Sequence, residues 1–196
     1  ARAALRDGYT LYGPAAGDPE LRAAIAAKLT SENGIATEPA EVLITNGGKQ
    51  AIYNLFQVLL NPGDQVLIPA PYWLSYPEIA ALAGADVITI PSAASDGFQL
   101  DLDRLDAAIT SKSRLLVLNT PGNPTGRVMS KDELFALADL LRRHPQLLVM
   151  SDEIYEYLLA KGHEHHSLAA LAPDLKERCF TVNGFAKGWA MTGWRL

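Results

Sequence analysis

The fold of this chain is constrained most by a regular alternation of strand-like and helix-like segments from residue 41 to residue 183. The segment 114–119 is apolar without any alternation of polar and apolar residues, which is expected when helices cover both faces of a strand. Strands are predicted at 41–44, 65–69, 86–90, 114–119, 146–151 and 179–182. This order predicts an α/β fold with three layers (α/β/α), a mostly parallel sheet and right-handed crossovers.

Capping and turn residues mark the helix boundaries. Asp18-Pro19 supplies an N-cap and a proline for the first turn, and Asn33-Gly34 ends the same helix. Ser130 and Glu133 have the spacing of a capping box, and apolar residues at helical spacing follow them. Further helices are predicted directly after Gly48, around 76–82 and at 101–109.

The chain has 196 residues, which suffice for one domain with a sizeable core. No linker divides the chain into two domains. We expect residues 1–40 to form a loop and a helix that lead into a large domain at 41–196. The chain begins with Ala1 rather than Met and ends inside a motif at Leu196, so we expect a fragment. Because a closing second domain would then be absent, we expect poor activity from these residues alone.

Composition narrows the classes of partner. With 17 basic and 22 acidic residues the net charge is −5, and no basic block is present, which argues against nucleic acid and anionic membranes. No apolar run is as long as a membrane span, and no signal peptide is visible at the N-terminus. The single cysteine, Cys179, excludes an internal disulfide and fits a reducing compartment, so we expect a cytoplasmic location.

Glycine and polar residues follow several of the predicted strands. In open α/β sheets, ligands bind at the carboxyl ends of the strands, so these residues are candidates for a binding site. Gly47-Gly48 opens a helix directly after a strand, and such a helix start suits a phosphate, although a tight turn would explain the same pair. Neither a Walker A loop nor a GxGxxG fingerprint is present, which argues against nucleoside triphosphates and classical NAD binding.

Asp152 ends an apolar strand, where a carboxylate would be desolvated unless it is paired with a cation; the alternative is a cap for a following helix. Tyr155 and Asn123 could each donate a hydrogen bond to an anionic oxygen, although Asn123 also fits ordinary turn chemistry. The histidines at 163, 165 and 166 lack the spacing of a metal-binding helix. We expect a solvated loop there and no metal site.

Lys187 lies between the small residues Ala186 and Gly188, after the last predicted strand. A lysine among small and apolar neighbours is easily desolvated, which leaves a nucleophilic amine able to form a Schiff base with a carbonyl compound. The alternative is an ordinary surface lysine in a glycine-rich loop.

Taken together, these segments resemble the class I/II, fold-type I family of pyridoxal-5′-phosphate-dependent aminotransferases, of the aspartate aminotransferase type. The matching segments occur in the family's order across nearly the whole chain, at 12–17 with 19–22, 45–51, 71–73 with 76–78, 123–126, 151–155, and 187 with 190–195. The resemblance implies the large, cofactor-binding domain of that fold.

The resemblance implies that Lys187, Asp152 and Tyr155 are catalytic. Lys187 would carry pyridoxal phosphate as a Schiff base, and Asp152 would keep the pyridine nitrogen protonated so that the ring can act as an electron sink. Tyr155 and Asn123 would bond the phenolic oxygen of the ring. Trp73 would stack on the ring face, and Trp73 and Asn123 would also contact the substrate.

The phosphate would be held by Gly47, Gly48, Lys49, Arg195 and, from the other subunit of a homodimer, Tyr12. Two departures from the family pattern concern small residues. Gly184 lies three residues before Lys187, where many relatives have serine or threonine, so one phosphate contact would be lost or replaced. Gly122 replaces an asparagine that many relatives have before Asn123.

The implied reaction is transamination between an L-amino acid, with an aspartate-like donor favoured, and a 2-oxo acid. Aromatic and alanine aminotransferases share much of the same pattern. The same lysine and aspartate would also suit a lyase or decarboxylase of fold type I, or the pyridoxal-phosphate-sensing domain of a transcription regulator.

Overall fold

A computed structural model of the protein describes residues 2–196, which belong to two compact units that meet in sequence at Thr45 and Asn46. The α-helices are α1 (Arg2–Arg6), α2 (Pro19–Ser31), α3 (Gly48–Leu59), α4 (Ser75–Leu82), α5 (Leu102–Ala108), α6 (Lys131–Arg143) and α7 (Leu168–Leu171). The strands are β1 (Gln65–Ala70), β2 (Asp86–Pro91), β3 (Ser113–Asn119), β4 (Leu148–Asp152) and β5 (Cys179–Val182). None of the helices in this described range is long and apolar enough to cross a membrane.

The first unit contains α1, α2 and a 3₁₀ turn at Pro39–Glu41. As predicted, Asp18 caps α2, because its carboxylate accepts hydrogen bonds from the backbone N–H groups of Glu20 and Leu21. The predicted strand at 41–44 is wrong. There the backbone bonds to a loop and a side chain rather than to a strand: Ile44 N–H donates to Ala16 O at 3.0 Å, and Arg22 Nε donates to Val42 O at 2.8 Å.

The second unit is built on a five-stranded sheet with the order β2-β1-β3-β4-β5. Every neighbouring pair is parallel, which confirms the predicted mostly parallel sheet. Successive residues of the central strand β3 face opposite sides, so that Leu115 and Val117 belong to one apolar cluster and Leu116 and Leu118 to another.

Helices cover both of these faces. Phe56 of α3 and Ile79 of α4 pack in the cluster of Leu115, whereas Leu105 of α5 and Leu134 of α6 pack in the cluster of Leu116. The α/β/α layering predicted from the sequence is therefore confirmed, and it explains why β3 needs no polar face.

Two helices of the second unit, α6 and α3, begin where the sequence predicts a helix start. Ser130 and Glu133 form the predicted capping box at α6, with Glu133 N–H donating to the Ser130 hydroxyl and Ser130 N–H donating to Glu133. The α3 helix begins at Gly48, directly after Gly47, whose φ of 79° favours glycine.

Candidate active site

The carboxyl ends of β3, β4 and β5 lie side by side. Asn119 pairs in register with Asp152, and Asp152 pairs with Val182, so three consecutive strands end at the same level. A cavity of about 210 Å³ opens at this edge of the second unit. Nine of the residues named from the sequence line it: Gly47, Gly48, Lys49, Trp73, Asn123, Asp152, Tyr155, Lys187 and Arg195. The tenth, Tyr12, belongs to the first unit and its side chain is fully exposed.

Asp152 is a buried acidic residue that lines the cavity, and only 4% of its surface is exposed. Its Oδ2 accepts a hydrogen bond of 2.6 Å from the Tyr76 hydroxyl, and its Oδ1 accepts one of 3.2 Å from Ile154 N–H. Burial raises the pKa of Asp152 from 3.8 to about 6, and the Glu153 charge adds to this rise, whereas the two hydrogen bonds and Lys187 oppose it. These two hydrogen-bond donors are neutral, so the site offers a partner to a buried cation.

The alternative that Asp152 caps a helix is wrong, because the residues after it, 154–157, form a turn. Tyr155 lies in this turn, on the cavity wall. Asp152 therefore does not act as a helix cap.

Tyr76 lies in one of the segments that carry the family resemblance, but no role at the site was predicted for it. It is 1% exposed, and burial together with the nearby Asp152 carboxylate raises its pKa well above the ordinary value of a tyrosine. Its position in the helix predicted around 76–82 would fit a core residue equally well. Its hydrogen-bond partner is 76 residues away, so no local pattern could identify the pair.

Trp73 forms an aromatic wall next to this buried pair. Its ring meets the Tyr76 ring edge to face, with centroids 5.3 Å apart and an interplanar angle of 85°. The ammonium nitrogen of Lys49 lies 4.9 Å from the Trp73 ring centroid, within the range of a cation–π contact. A flat ring bound in the cavity could therefore stack on Trp73. The Asp152 carboxylate lines the same cavity.

Gly47 and Arg195 make the polar end of the cavity. A Cβ added to Gly47 would lie 2.8 Å from Nη2 of Arg195, so only glycine allows the guanidinium this close. Arg195 is oriented by Thr192 and Asn46, whose carbonyl oxygens accept from its Nη1 at 3.0 Å and its Nη2 at 3.5 Å. The guanidinium and the N-terminal end of the 12-residue α3 together favour an anion.

Asn119 fixes Asn123 relative to Asp152. Its side-chain amide donates to the carbonyl oxygen of Asp152 at 2.9 Å, and its Oδ1 accepts from Asn123 N–H at 2.8 Å. Asn119 thus ties the loop after β3 to the end of β4. Its position at a strand end was the only sequence signal for this role.

Lys187 reaches the cavity from the loop after β5. Its Nζ lies 5.7 Å from the centre of the Tyr155 ring, and its side chain is exposed. The expectation that its neighbours desolvate this lysine is therefore wrong for the described residues. At Gly184, a Cβ would lie 3.4 Å from the carbonyl oxygen of Leu196, which is an ordinary van der Waals contact.

Glu153, the residue after Asp152, belongs to a buried network of polar side chains. Glu153 is fully buried and accepts from the hydroxyls of Ser151 at 2.9 Å and Ser167 at 2.6 Å, and its Oε2 lies 3.0 Å from His165 Nε2. The predicted solvated loop is therefore wrong for His165, whose side chain is only 8% exposed. Because Glu153 lies far from it in sequence, the histidine cluster alone could not indicate this pairing.

Comparisons with known proteins agree with this geometry. The family model described as "Aminotransferase class I and II" matches residues 1–196. A bifunctional aspartate aminotransferase and glutamate/aspartate-prephenate aminotransferase of Petunia hybrida is 50% identical over 193 residues, which are 98% of this chain and 40% of that protein. The aspartate/prephenate aminotransferase of Thermus thermophilus is 50% identical over 196 residues, which are 100% of this chain and 50% of that protein.

Solved structures give the same result. The chain is similar to the T. thermophilus aspartate aminotransferase with maleate, with a TM-score of 0.93 and 49% identity over 99% of this chain and 50% of that one. It is also similar to the aromatic aminotransferase of Pyrococcus horikoshii OT3, with a TM-score of 0.95 and 42% identity over 99% of this chain and 52% of that one. The chain thus spans about half the length of these relatives. It belongs to the class I and II aminotransferase family.

Proposed function

We propose that the protein is a pyridoxal-phosphate-dependent aminotransferase that moves an amino group between an L-amino acid and a 2-oxo acid. The observation that carries the proposal is the Asp152 carboxylate, buried in the same cavity as Lys187 and hydrogen-bonded to two neutral donors. A protonated pyridine nitrogen is the kind of cation that such a carboxylate would pair with.

The other cavity residues fit the remaining parts of pyridoxal phosphate. Gly47 leaves room for the Arg195 guanidinium beside the start of α3, which suits the phosphate. Trp73 suits a flat ring. Lys187 brings a primary amine, as the aldehyde requires, to the same cavity.

When bound, the cofactor supplies an aldehyde that condenses with amines and a ring that withdraws electrons from the substrate. The protein's residues have separate tasks. Asp152 would stabilise the protonated ring nitrogen, and Tyr155 and Asn123 would donate to the phenolic oxygen. Lys187 would hold the cofactor and, as a free amine, its Nζ would accept the proton from Cα of the substrate. Trp73 and Asn123 would also contact the substrate.

We infer that the amino donor is an acidic amino acid such as aspartate. The support is the set of relatives at 43–50% identity that are named aspartate/prephenate aminotransferases, together with the T. thermophilus aspartate aminotransferase studied with maleate, a dicarboxylate. The lyase, decarboxylase and regulator hypotheses gain no support from these relatives.

The whole protein would be a cytoplasmic homodimer, with residues 1–40 leading into the cofactor-binding domain at 41–196. Tyr12 would reach the phosphate of the partner subunit, and its full exposure leaves it available for such a contact. Light scattering on the complete protein tests the dimer. A fully active monomer would contradict it.

A coupled assay of the complete protein with pyridoxal phosphate, aspartate and 2-oxoglutarate tests the reaction. We expect glutamate and oxaloacetate to form in equal amounts. Loss of carbon dioxide from aspartate, without consumption of 2-oxoglutarate, would instead identify a decarboxylase and overturn the proposal.

A further inference from the structure

The turn at 154–157 is linked to the end of β5 by a partly buried hydrogen bond between two side chains. Glu156 is 7% exposed, and its Oε1 accepts a hydrogen bond of 2.7 Å from the side-chain amide of Asn183. Asn183 is the first residue after β5, at the point where the strand gives way to the loop that carries Lys187.

Both ends of the Asn183 amide are engaged. Its Nδ2 donates to Glu156, and its Oδ1 accepts from the backbone N–H of Gly184 at 2.7 Å. The hydrogen bond to Glu156 therefore acts directly on the backbone that leads to Lys187, three residues further along. It joins the side chain of Glu156, a buried residue, to the half-buried amide of Asn183.

The neighbours of Glu156 touch the same loop. The Tyr155 ring lies 5.7 Å from Lys187 Nζ, and the Tyr157 ring meets the Trp189 ring with centroids 5.5 Å apart. Three consecutive residues of the turn thus contact the lysine loop. Tyr157 and Trp189 are exposed, so Glu156 makes the buried link of the three.

The turn itself is fixed to the end of β4. The N–H of Glu156 donates to the carbonyl oxygen of Glu153 at 2.9 Å, and Glu153 N–H donates to the carbonyl oxygen of Val182 at 2.8 Å. Asp152 is the last residue of β4, two residues before this turn. The Glu156–Asn183 hydrogen bond therefore restrains the start of the lysine loop relative to the end of β4.

We propose that Glu156 is a positioning residue, which holds Lys187 in place relative to Asp152 and Tyr155 through its hydrogen bond to Asn183. The consequence for Lys187 rests on the proposed function, whereas the restraint on the loop can be measured without any cofactor. A merely structural hydrogen bond would affect global stability and leave the lysine loop no more mobile than the rest of the protein.

The test exchanges donor and acceptor. Asn183→Asp sets two carboxylates against each other, while its oxygen can still accept from Gly184. Adding Glu156→Gln restores one donor and one acceptor in the reverse order. Asn54→Asp on α3, where the side chain is also half-buried, is the control for the change in charge. Asn183→Ala removes the donor without adding charge and serves if Asn183→Asp does not fold.

Three readouts are compared: hydrogen exchange of the lysine loop, borohydride labelling of Lys187 and global melting. Hydrogen exchange of the 184–190 peptide in the cofactor-free protein should become about tenfold faster or more in Asn183→Asp and Asn183→Ala. It should return towards the original rate in the double variant, and β3 peptides should stay protected throughout. Borohydride labelling of Lys187 with pyridoxal phosphate should slow and recover in parallel.

Unchanged loop exchange in both Asn183 variants, or no recovery in the double variant, would overturn the positioning role. If loop exchange in the variants changes as predicted but Lys187 of the parent protein is never labelled, the proposed function fails while the restraint on the loop stands. The two failures are therefore distinguishable.

Discussion

The hydroxyl of Tyr76 donates a 2.6 Å hydrogen bond to the buried carboxylate of Asp152. The same tyrosine ring packs edge to face on Trp73. One side chain thus orients both the proposed partner of the ring nitrogen and the proposed wall for the ring face. Because α4 and β4 are remote in sequence, this relationship depends on the parallel sheet that brings them together.

We predict that Tyr76→Phe raises the pKa of Asp152 above its value of about 6. The lost hydrogen bond stabilises the ionised carboxylate, so its removal should shift the pKa upward by about 1 unit or more. Carboxyl ¹³C chemical shifts recorded against pH in the cofactor-free protein measure this. Tyr72→Phe, at a half-buried tyrosine in the loop that precedes α4, is the control. An unchanged Asp152 titration would contradict the assigned role of Tyr76.

Asp152 should also give the cofactor-free protein a characteristic dependence of stability on pH. Its pKa of about 6 in the folded state lies above the value of 3.8 for an exposed carboxyl, so the folded protein binds this proton more tightly than the unfolded chain. The resulting stabilisation is complete below about pH 4 and is lost as the pH rises through about 6. The pKa difference corresponds to about 3 kcal/mol.

Asp152→Asn should remove this dependence, because an amide of similar shape carries no charge. Urea unfolding at several pH values should show the variant gaining about 2 kcal/mol relative to the parent between pH 4 and pH 7.5. The same variant should bind pyridoxal phosphate more weakly at neutral pH. A constant stability difference across that range would show that burial does not disfavour the ionised carboxylate.

Gly47→Ala should weaken cofactor binding through the phosphate. The new Cβ would meet Arg195 Nη2 at 2.8 Å and displace the guanidinium, so we expect the Kd for pyridoxal phosphate to rise about tenfold or more. Gly63→Ala is a matched control, since Gly63 also has a positive φ of 88° but no atom within 4 Å of an added Cβ.

Both glycine variants should lose stability, on the order of 1–3 kcal/mol, from backbone strain. Only Gly47→Ala should lose affinity, and its affinity for pyridoxal, which lacks the phosphate, should stay near that of the parent. Equal losses of affinity in the two variants would assign the effect to general destabilisation instead.

Much of the fold was predictable because its signals are local. The apolar segments of β3 and β4, the cap at Asp18 and the capping box at Ser130 each specify structure within a few residues. The predicted strand at 41–44 failed because strand formation needs a partner, and the residues opposite belong to a loop. Pairing across a sheet cannot be judged from one segment.

The candidate site was predictable where strand ends carry unusual residues, as at Asp152 and Gly47. Tyr76, Asn119 and the Glu153–His165 pair were missed, since each acts through a partner far away in the chain. The exposure of Lys187 was also misjudged, because the neighbours of a residue in sequence do not determine which residues cover its side chain in the fold.

The central claim is that Lys187 is the residue that holds pyridoxal phosphate. The most direct measurement is borohydride reduction of the complete protein with the cofactor, followed by peptide mapping by mass spectrometry. We predict one pyridoxyl label, on the peptide that contains Lys187, and its loss in Lys187→Ala. Lys49 is the informative competitor, because its amine also lines the cavity. A label on Lys49 or Lys161, with Lys187 unmodified, would contradict the account.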